Sequence, residues 1–147
     1  MCLNVRREYA EKVQNQFKML KSKSGRNSNP FIICYKIYKI TPAGYLKSVI
    51  YESCIKKPRF VISDRKRKSQ TVREKKWEVI NKGIHVYRTI AAANGQMAYW
   101  TRDFRKDRFK IVPVRCYEKD FISANPYEAV FMKVEITEDA FKKAIGE

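Results

Sequence analysis

The sequence predicts an α+β fold with a mainly antiparallel sheet of about four to six strands. Short runs of β-branched and aromatic residues indicate strands, and segments with three- or four-residue apolar spacing indicate helices. These elements follow each other without regular βαβ alternation, which favours α+β. We expect an N-terminal amphipathic helix, one or two middle helices and a short C-terminal helix. At 147 residues the chain has the size of one domain.

Residues 1–23 have the spacing of an amphipathic helix. Its apolar positions recur every three or four residues, at Val5, Tyr9, Val13, Phe17 and Leu20. Such a stripe packs on the domain's own core or, alternatively, mediates dimerisation or grips a partner. Residues 24–30 are rich in Ser, Asn and Gly and predict a flexible connection, so the predicted domain occupies residues 31–147.

The segment from residue 31 to residue 55 predicts a β-hairpin. Residues 31–40 are β-branched and aromatic, and Thr41, Pro42, Ala43 and Gly44 form a turn before a second strand over residues 45–55. Phe60, Val61 and Ile62 then predict a brief strand. Residues 69–81 look helical, with Gly83 as the stop signal.

The second half alternates strands with two capped helices. Residues 83–88 predict a strand, and Thr89 is the expected N-cap of a helix that reaches about Trp100. Strands are predicted over residues 111–117 and 127–137, with a loop between them. Thr137 caps a last helix over residues 138–145, whose acidic start and basic end suit the helix dipole.

The charge is the outlying property of the composition. The chain holds 32 Lys and Arg against 15 Asp and Glu, a net charge of +17. Self-repulsion at this charge costs stability, so a compensating polyanion is the expected partner. The alternative is a basic protein whose charge only keeps it soluble.

Much of the excess positive charge lies in two segments. Residues 56–76 hold ten cations and two carboxylates, and residues 102–110 hold five cations and two aspartates. Cations neutralise phosphates, and Arg takes a phosphate bidentately. The predicted phosphate-binding residues are Arg65, Lys66, Arg67, Lys68, Arg73, Lys75, Lys76, Arg102, Arg105, Lys106, Arg108 and Lys110.

Aromatic residues near these cations offer ring faces on which bases stack. The predicted stacking or nucleotide-pocket residues are His85, Tyr87, Tyr99, Trp100 and Phe104. His85 is the single histidine and has the side chain that titrates near neutrality. Its alternative role is that of a hydrogen-bonded structural histidine, and core packing is the alternative for Tyr99 and Trp100.

Catalytic, metal and cofactor signatures are lacking in the sequence. The four cysteines, Cys2, Cys34, Cys54 and Cys116, contain no CxxC pair, so no zinc site is expected. No P-loop, GxGxxG or deaminase pattern occurs, and the scarce carboxylates form no nuclease signature. We therefore expect a protein that is not an enzyme and needs no cofactor; the alternative is a metal-dependent nuclease or a nucleotide-modifying enzyme. Residues 1–20 lack the apolar core of a secretory signal and no stretch has the length of a membrane span, so a cytoplasmic location is expected.

Residues 83–137 resemble small proteins encoded by bacteriophages and large viruses. The resemblance rests on the segment GIHVYRT at residues 83–89, the Ala-rich helix after it, and residues 111–117 and 128–134. It implies a phage accessory protein. Such proteins often counter host defence by masking a defence complex or by sequestering its nucleotide messenger, and the resemblance carries no activity or site residue.

Three functions follow from these observations. The leading hypothesis is a module that binds RNA, DNA or a ribonucleoprotein through the two basic segments and acts by occlusion. The second is a sponge for a small linear or cyclic nucleotide, with His85 and Tyr87 in its pocket. The third is an inhibitor that engages an acidic host protein through the N-terminal stripe; a homodimer is the alternative use of that stripe.

Overall fold

The computed structural model covers a chain whose described residues form three helices and twelve short strands. The described ranges are 3–5, 7–25, 28–48, 54–62, 70–72, 77–80 and 83–146. The helices are α1 (Arg7–Ser24), α2 (Ile90–Asp103) and α3 (Glu138–Ala144). The strands are β1 (Leu3–Val5), β2 (Phe31–Ile40), β3 (Leu46–Ser48), β4 (Cys54–Ile55), β5 (Arg59–Ile62), β6 (Gln70–Val72), β7 (Trp77–Ile80), β8 (Ile84–Tyr87), β9 (Phe109–Tyr117), β10 (Phe121–Ala124), β11 (Glu128–Phe131) and β12 (Lys133–Ile136).

The main sheet is antiparallel and confirms the α+β class. Its order is β10-β11-β8-β2-β9-β12-β5, with β3 paired to β2 and β4 paired to β3. Within the described residues it therefore has nine strands, more than the four to six expected. The excess arises because several predicted strands are divided, and because β10 occupies part of a predicted loop.

Met132 forces the sheet to curl. It is the single residue between β11 and β12, yet β8, β2 and β9 separate these two strands in the sheet order. A flat sheet would place β11 and β12 four strand spacings apart, roughly 19 Å. The sheet therefore curls, so that β11 and β12, the outer two of these five strands, meet at Met132. The Met132 N–H donates to the Asp120 carbonyl at 2.8 Å. Residues 127–137 thus form two strands rather than the predicted one.

Alternation along β2 separates two hydrophobic cores. Cys34 and Tyr38 belong to the larger core, whereas Ile37 belongs to a smaller core under α2. Since successive side chains of a strand point to opposite faces, these cores lie on opposite faces of the sheet. We call the face with Cys34 and Tyr38 the inner face, and the face with Ile37 the outer face.

Helix α1 closes the inner face. Val13 and Phe17 are fully buried, and the Phe17 ring centre lies 6.2 Å from that of Phe121 and 6.4 Å from that of Phe131. The predicted stripe therefore packs on the domain's own core, although Leu20 at its end is 36% exposed. The predicted helical start is wrong, because residues 3–5 form β1 before α1 begins.

The segment predicted as a helix over residues 69–81 forms strands instead. Its described parts are β6 and β7, which form a separate three-stranded sheet with β1 in the order β1-β7-β6. The sequence of β6 and β7 is rich in Thr, Val and Ile, which favour strands. The β1 partner of β7 lies about 75 residues away in the chain, so no local pattern shows the backbone hydrogen bonds that join them.

The remaining local predictions agree with the structure except at their ends. Gly44 has a φ of +83° and donates its N–H to the Thr41 carbonyl in the predicted hairpin turn. The following strand is described only as β3 and β4. The hydroxyl oxygens of Thr89 and Thr137 accept the N–H groups of Ala92 and Ala140, which confirms both N-caps. Among the described residues, no helix has the length and apolar character needed to cross a membrane.

Candidate nucleic-acid interface

Seven of the predicted phosphate-binding residues lie outside the described residues. They are Arg65, Lys66, Arg67, Lys68, Arg73, Lys75 and Lys76. The first four follow closely in sequence on Ile62, the last residue of β5. Their predicted role stays a prediction.

The second basic segment forms an exposed ridge from the end of α2 to the start of β9. Its cations Arg102, Arg105, Lys106, Arg108 and Lys110 are all exposed. Of its two aspartates, Asp103 pairs with Arg102 at 3.3 Å and Asp107 pairs with Lys39 of β2 at 3.2 Å. Since these pairs are also solvent-exposed or nearly so, they leave a ridge with a positive excess that a phosphate backbone can approach.

The predicted aromatic residues divide into exposed and buried groups. Tyr99 and Phe104 are 60% and 51% exposed, and the Arg102 guanidinium lies 4.6 Å from the Tyr99 ring centre. Trp100 packs on Phe109 with 6.0 Å between ring centres, so it belongs to the small core under α2. Tyr99 and Phe104 therefore present faces beside the basic ridge, as a stacking role requires.

His85 and Tyr87 lie inside the protein. Each is 7% exposed on β8, and Tyr87 packs in the core beneath α2 with Ile37 and Ala93. Burial, together with the nearby Glu128 charge, raises the pKa of the Tyr87 hydroxyl well above its ordinary value. Neither side chain offers an exposed ring face, and the nucleotide-pocket role predicted for the two residues stays a prediction.

A buried lysine lies next to this pair. Lys36 of β2 donates from Nζ to the His85 carbonyl at 3.2 Å. Burial lowers its pKa from 10.5 to about 8, although the Glu128 carboxylate opposes the shift. Burial in turn raises the pKa of Glu128. Because both pKa values are shifted by burial, this internal pair of opposite charges makes the stability of the fold depend on pH.

A second aromatic and cationic surface, absent from the sequence-based prediction, covers the outer face on four adjacent strands. We call it the outer-face patch. It consists of Phe31 and Ile33 of β2, Arg115 and Tyr117 of β9, Lys133 and Glu135 of β12, and Phe60 and Ile62 of β5. Four of these are large apolar side chains with exposures between 39% and 65%. An apolar surface of this kind on a highly charged protein marks an interaction site.

The strand register arranges the patch in two rows. Residue pairing aligns Ile33 with Arg115, Arg115 with Glu135, and Glu135 with Phe60. The next row, two residues along each antiparallel strand, holds the other four side chains. Standard strand spacings make the patch roughly 14 Å across the strands, with rows about 7 Å apart. This is an area on which two or three flat rings can lie.

The aromatic rings of the patch contact one another across strands. The ring centre of Tyr117 lies 5.6 Å from that of Phe31 and 6.3 Å from that of Phe60, with tilted planes. These contacts fix the rings in place before any ligand arrives, so less side-chain freedom is lost on binding. The result is a preorganised line of three rings, Phe31, Tyr117 and Phe60, that crosses the sheet from one register row to the other. We call this line the aromatic row.

Each outer ring of this row carries a cation on its face. The Arg115 guanidinium lies 4.9 Å from the ring centre of Phe31, and Lys133 Nζ lies 4.3 Å from that of Phe60. Both distances are within the range of cation–π attraction. A guanidinium plane is itself a stacking surface for a base, and both cations can pair with phosphate.

Glu135 is the one carboxylate in the middle of the patch. Its Oε1 accepts a 2.9 Å hydrogen bond from the Tyr117 hydroxyl and lies 3.7 Å from Arg115 Nη1. Partial burial, and then this hydrogen bond, raise the pKa of the Tyr117 hydroxyl. The side chain is 22% exposed, so a molecule lying on the patch can reach it.

An open cleft of about 570 Å³ borders the patch at the β5 edge. The patch residues Phe60, Arg115 and Glu135 line one side. The other side is formed by the start of α3, where Glu138 and Asp139 bring two more carboxylates, and by Arg59. The cleft is therefore acidic on balance, in contrast to the protein as a whole.

Sequence reasoning missed the outer-face patch, yet a signal for it exists. In β9, Val112, Val114 and Cys116 are buried while Arg115 and Tyr117 between them are accessible. The same two-residue period holds in β12. An aromatic residue at a position that the two-residue alternation assigns to solvent indicates such a surface. The prediction from sequence relied on the basic segments instead and did not use this signal.

Within the described residues, no three His, Cys, Asp or Glu side chains come together closely enough to hold a metal ion. Comparison of the chain with protein-family models, with curated proteins and with solved structures found no match.

Proposed function

We propose that the protein binds single-stranded nucleic acid, with bases stacked on the outer-face patch and phosphates held by the surrounding cations. The observation that carries the proposal is the aromatic row of Phe31, Tyr117 and Phe60, exposed on a sheet face with cations over both outer rings. Aromatic platforms combined with cations are how proteins hold single strands.

The preference for a single strand follows from what the patch presents. Ring faces bind base faces, and base faces are accessible only where bases are unpaired. In a duplex the same faces are stacked inside the helix, and only phosphates remain for the protein. A single strand therefore gains both stacking and charge neutralisation.

The two basic segments extend the proposed site. The ridge formed by Arg102, Arg105 and Lys106 lies near the opposite end of β2 from Phe31, since Phe109 pairs with Lys39 and Tyr117 pairs with Phe31. This is a distance of roughly 26 Å along the strand. The segment with Arg65 and Lys66 follows closely in sequence on Ile62 of the patch. Both would contact the backbone on either side of the stacked bases and supply the salt dependence.

The proposed mode of action is occlusion. A protein that covers unpaired bases and neutralises their phosphates keeps other proteins from the same strand, and it needs no chemical step. Masking of a host ribonucleoprotein, the role that the phage resemblance implies, would be one use of such binding.

The experiment is fluorescence anisotropy with labelled 12-nucleotide single strands of RNA and DNA and with the matching duplexes. We expect tighter binding to single strands, and a loss of roughly thirtyfold or more in the double variant F31A/Y117A, since each of the two stacked bases contributes about 1–3 kcal/mol. Y127A is the matched control, because Tyr127 is 68% exposed in the β10–β11 turn, away from the patch.

Two results would contradict the proposal. The first is an equal affinity of F31A/Y117A and the wild type for every single strand. The second is an absence of oligonucleotide binding together with self-association that F31A/Y117A abolishes, which would identify the patch as a protein interface.

A further inference from the structure

We infer that Glu135 makes the outer-face patch base-selective, favouring bases that carry an exocyclic amino group over uracil and thymine. The inference rests on the proposed binding of single strands and adds to it which bases are preferred.

The position of Glu135 is the first observation. A carboxylate in the middle of a phosphate-binding surface opposes binding of the backbone, because it repels phosphate. Nevertheless it lies between Arg115 of β9 and Phe60 of β5 in the row that begins with Ile33, and Arg115 and Lys133 are its cationic neighbours in the patch. A carboxylate is favourable here if it meets the donor edge of a base.

The hydrogen bonding of Glu135 is the second observation. The contacts from the Tyr117 hydroxyl and from Arg115 are both made to Oε1. They fix the orientation of the carboxylate within the patch. A fixed carboxylate oxygen accepts hydrogen bonds from the amino groups of cytosine, adenine or guanine. Uracil and thymine have a carbonyl oxygen at the position of the cytosine amino group, and this oxygen repels a carboxylate.

The adjacent cleft supports the same conclusion. Its lining holds three carboxylates, those of Glu135, Glu138 and Asp139, against two guanidinium groups, those of Arg59 and Arg115. The carboxylate excess favours a neutral base with amino donors over a phosphate. Its volume of about 570 Å³ is in the range of sites that bind small molecules, so it accommodates a base that stacks on Phe60.

The test compares labelled 12-nucleotide strands of oligo(C), oligo(A) and oligo(U) on the wild type, E135Q and E11Q. We expect the wild type to bind oligo(C) and oligo(A) roughly tenfold more tightly than oligo(U), the value of one hydrogen bond to a charged group. In E135Q the ratio should fall to about one, because the amide can also donate to a uracil carbonyl. E11Q removes the same charge from the exposed side of α1, which packs on the inner face of the sheet, and should keep the wild-type ratio.

The ratio of affinities within one variant does not depend on how much of that variant is folded. An unchanged ratio in E135Q overturns the inference, as does an equal loss of the ratio in E11Q, which would trace it to net charge. If the wild type binds all three strands equally, the inference fails while the proposed function stands. If it binds none of them, both fail.

Discussion

The guanidinium of Arg115 lies 4.9 Å from the ring centre of Phe31, at a point where both side chains reach solvent on the outer face of the sheet. These residues lie far apart in sequence, and the pairing of β2 with β9 brings them together. The rings and cations of the patch contact one another, and these contacts fix their positions. The patch is therefore a formed surface, which a ligand can use without first ordering it.

Removal of the basic ridge should reduce the salt dependence of binding. The variant R102A/R105A/K106A removes three cations from the end of α2 and the following turn. For single strands the slope of log K against log salt is about −0.7 per neutralised phosphate, so the slope should become shallower by about 2. Anisotropy titrations between roughly 50 and 300 mM salt measure it.

The matched control for this variant is K12A/K18A/K23A, which removes three exposed cations from α1. It should lower affinity slightly through net charge and leave the slope nearly unchanged. Equal slopes in the two triple variants would show that the ridge makes no phosphate contact of its own.

Truncation of Phe17 should destabilise the domain by about 3–5 kcal/mol, the usual cost of Phe→Ala in a core. Phe17 is fully buried and contacts Phe121 and Phe131. Urea denaturation of F17A measures the loss, and M19A is the control since Met19 is 61% exposed on the same helix. A loss below about 1 kcal/mol would mean that α1 is not part of the core.

Stability should rise with pH between about pH 8 and 10 because of Lys36. Its folded pKa is about 8, below its ordinary 10.5, so in this window the unfolded chain binds more protons than the folded one. The cost of burying the charge is fully present below pH 8 and disappears as pH approaches 10.5. The shift corresponds to at most about 3 kcal/mol.

The variant K36M tests this relation. It should be more stable than the wild type at pH 7, and the difference should shrink toward pH 10. K110M, which removes an exposed lysine of β9, controls for the loss of one positive charge. Urea denaturation of the three proteins across this pH range measures the difference in stability. If the difference between K36M and the wild type does not change with pH, Lys36 is not the cause of the pH dependence.

Alanine should be tolerated far better at Gly44 than at Gly83, although both glycines have a φ of +83°. At Gly83 a Cβ would lie 2.5 Å from Val130 Cγ1 and 2.8 Å from Ile122 Cδ1, whereas at Gly44 it would meet nothing within 4 Å. The left-handed backbone lowers the free energy of unfolding of both variants by about 1–2 kcal/mol, and overpacking lowers that of G83A by roughly 1–3 kcal/mol more. Thermal denaturation compares them, and equal melting temperatures would contradict the close packing at Gly83.

Local patterns predicted those elements whose stability is mostly local. Thr89 and Thr137 were predictable as N-caps, because a cap depends on a side chain and a backbone N–H three residues away. The segment over residues 69–81 was not predictable as strands in the same way. Its β7 strand is paired with β1 from the beginning of the chain, and this pairing leaves no trace in the local sequence.

The sequence by itself determined the charge of +17, its concentration in two segments, the α+β class and the positions of most strands. Only the tertiary structure decided where the exposed aromatic rings lie relative to those cations. Phe31, Phe60, Tyr117 and Lys133 come from four strands, and the order β2-β9-β12-β5 places them side by side. The physical reason is that strand register is set by long-range backbone pairing, which a local pattern does not show. Tyr87 is likewise buried because α2 packs over it on the outer face.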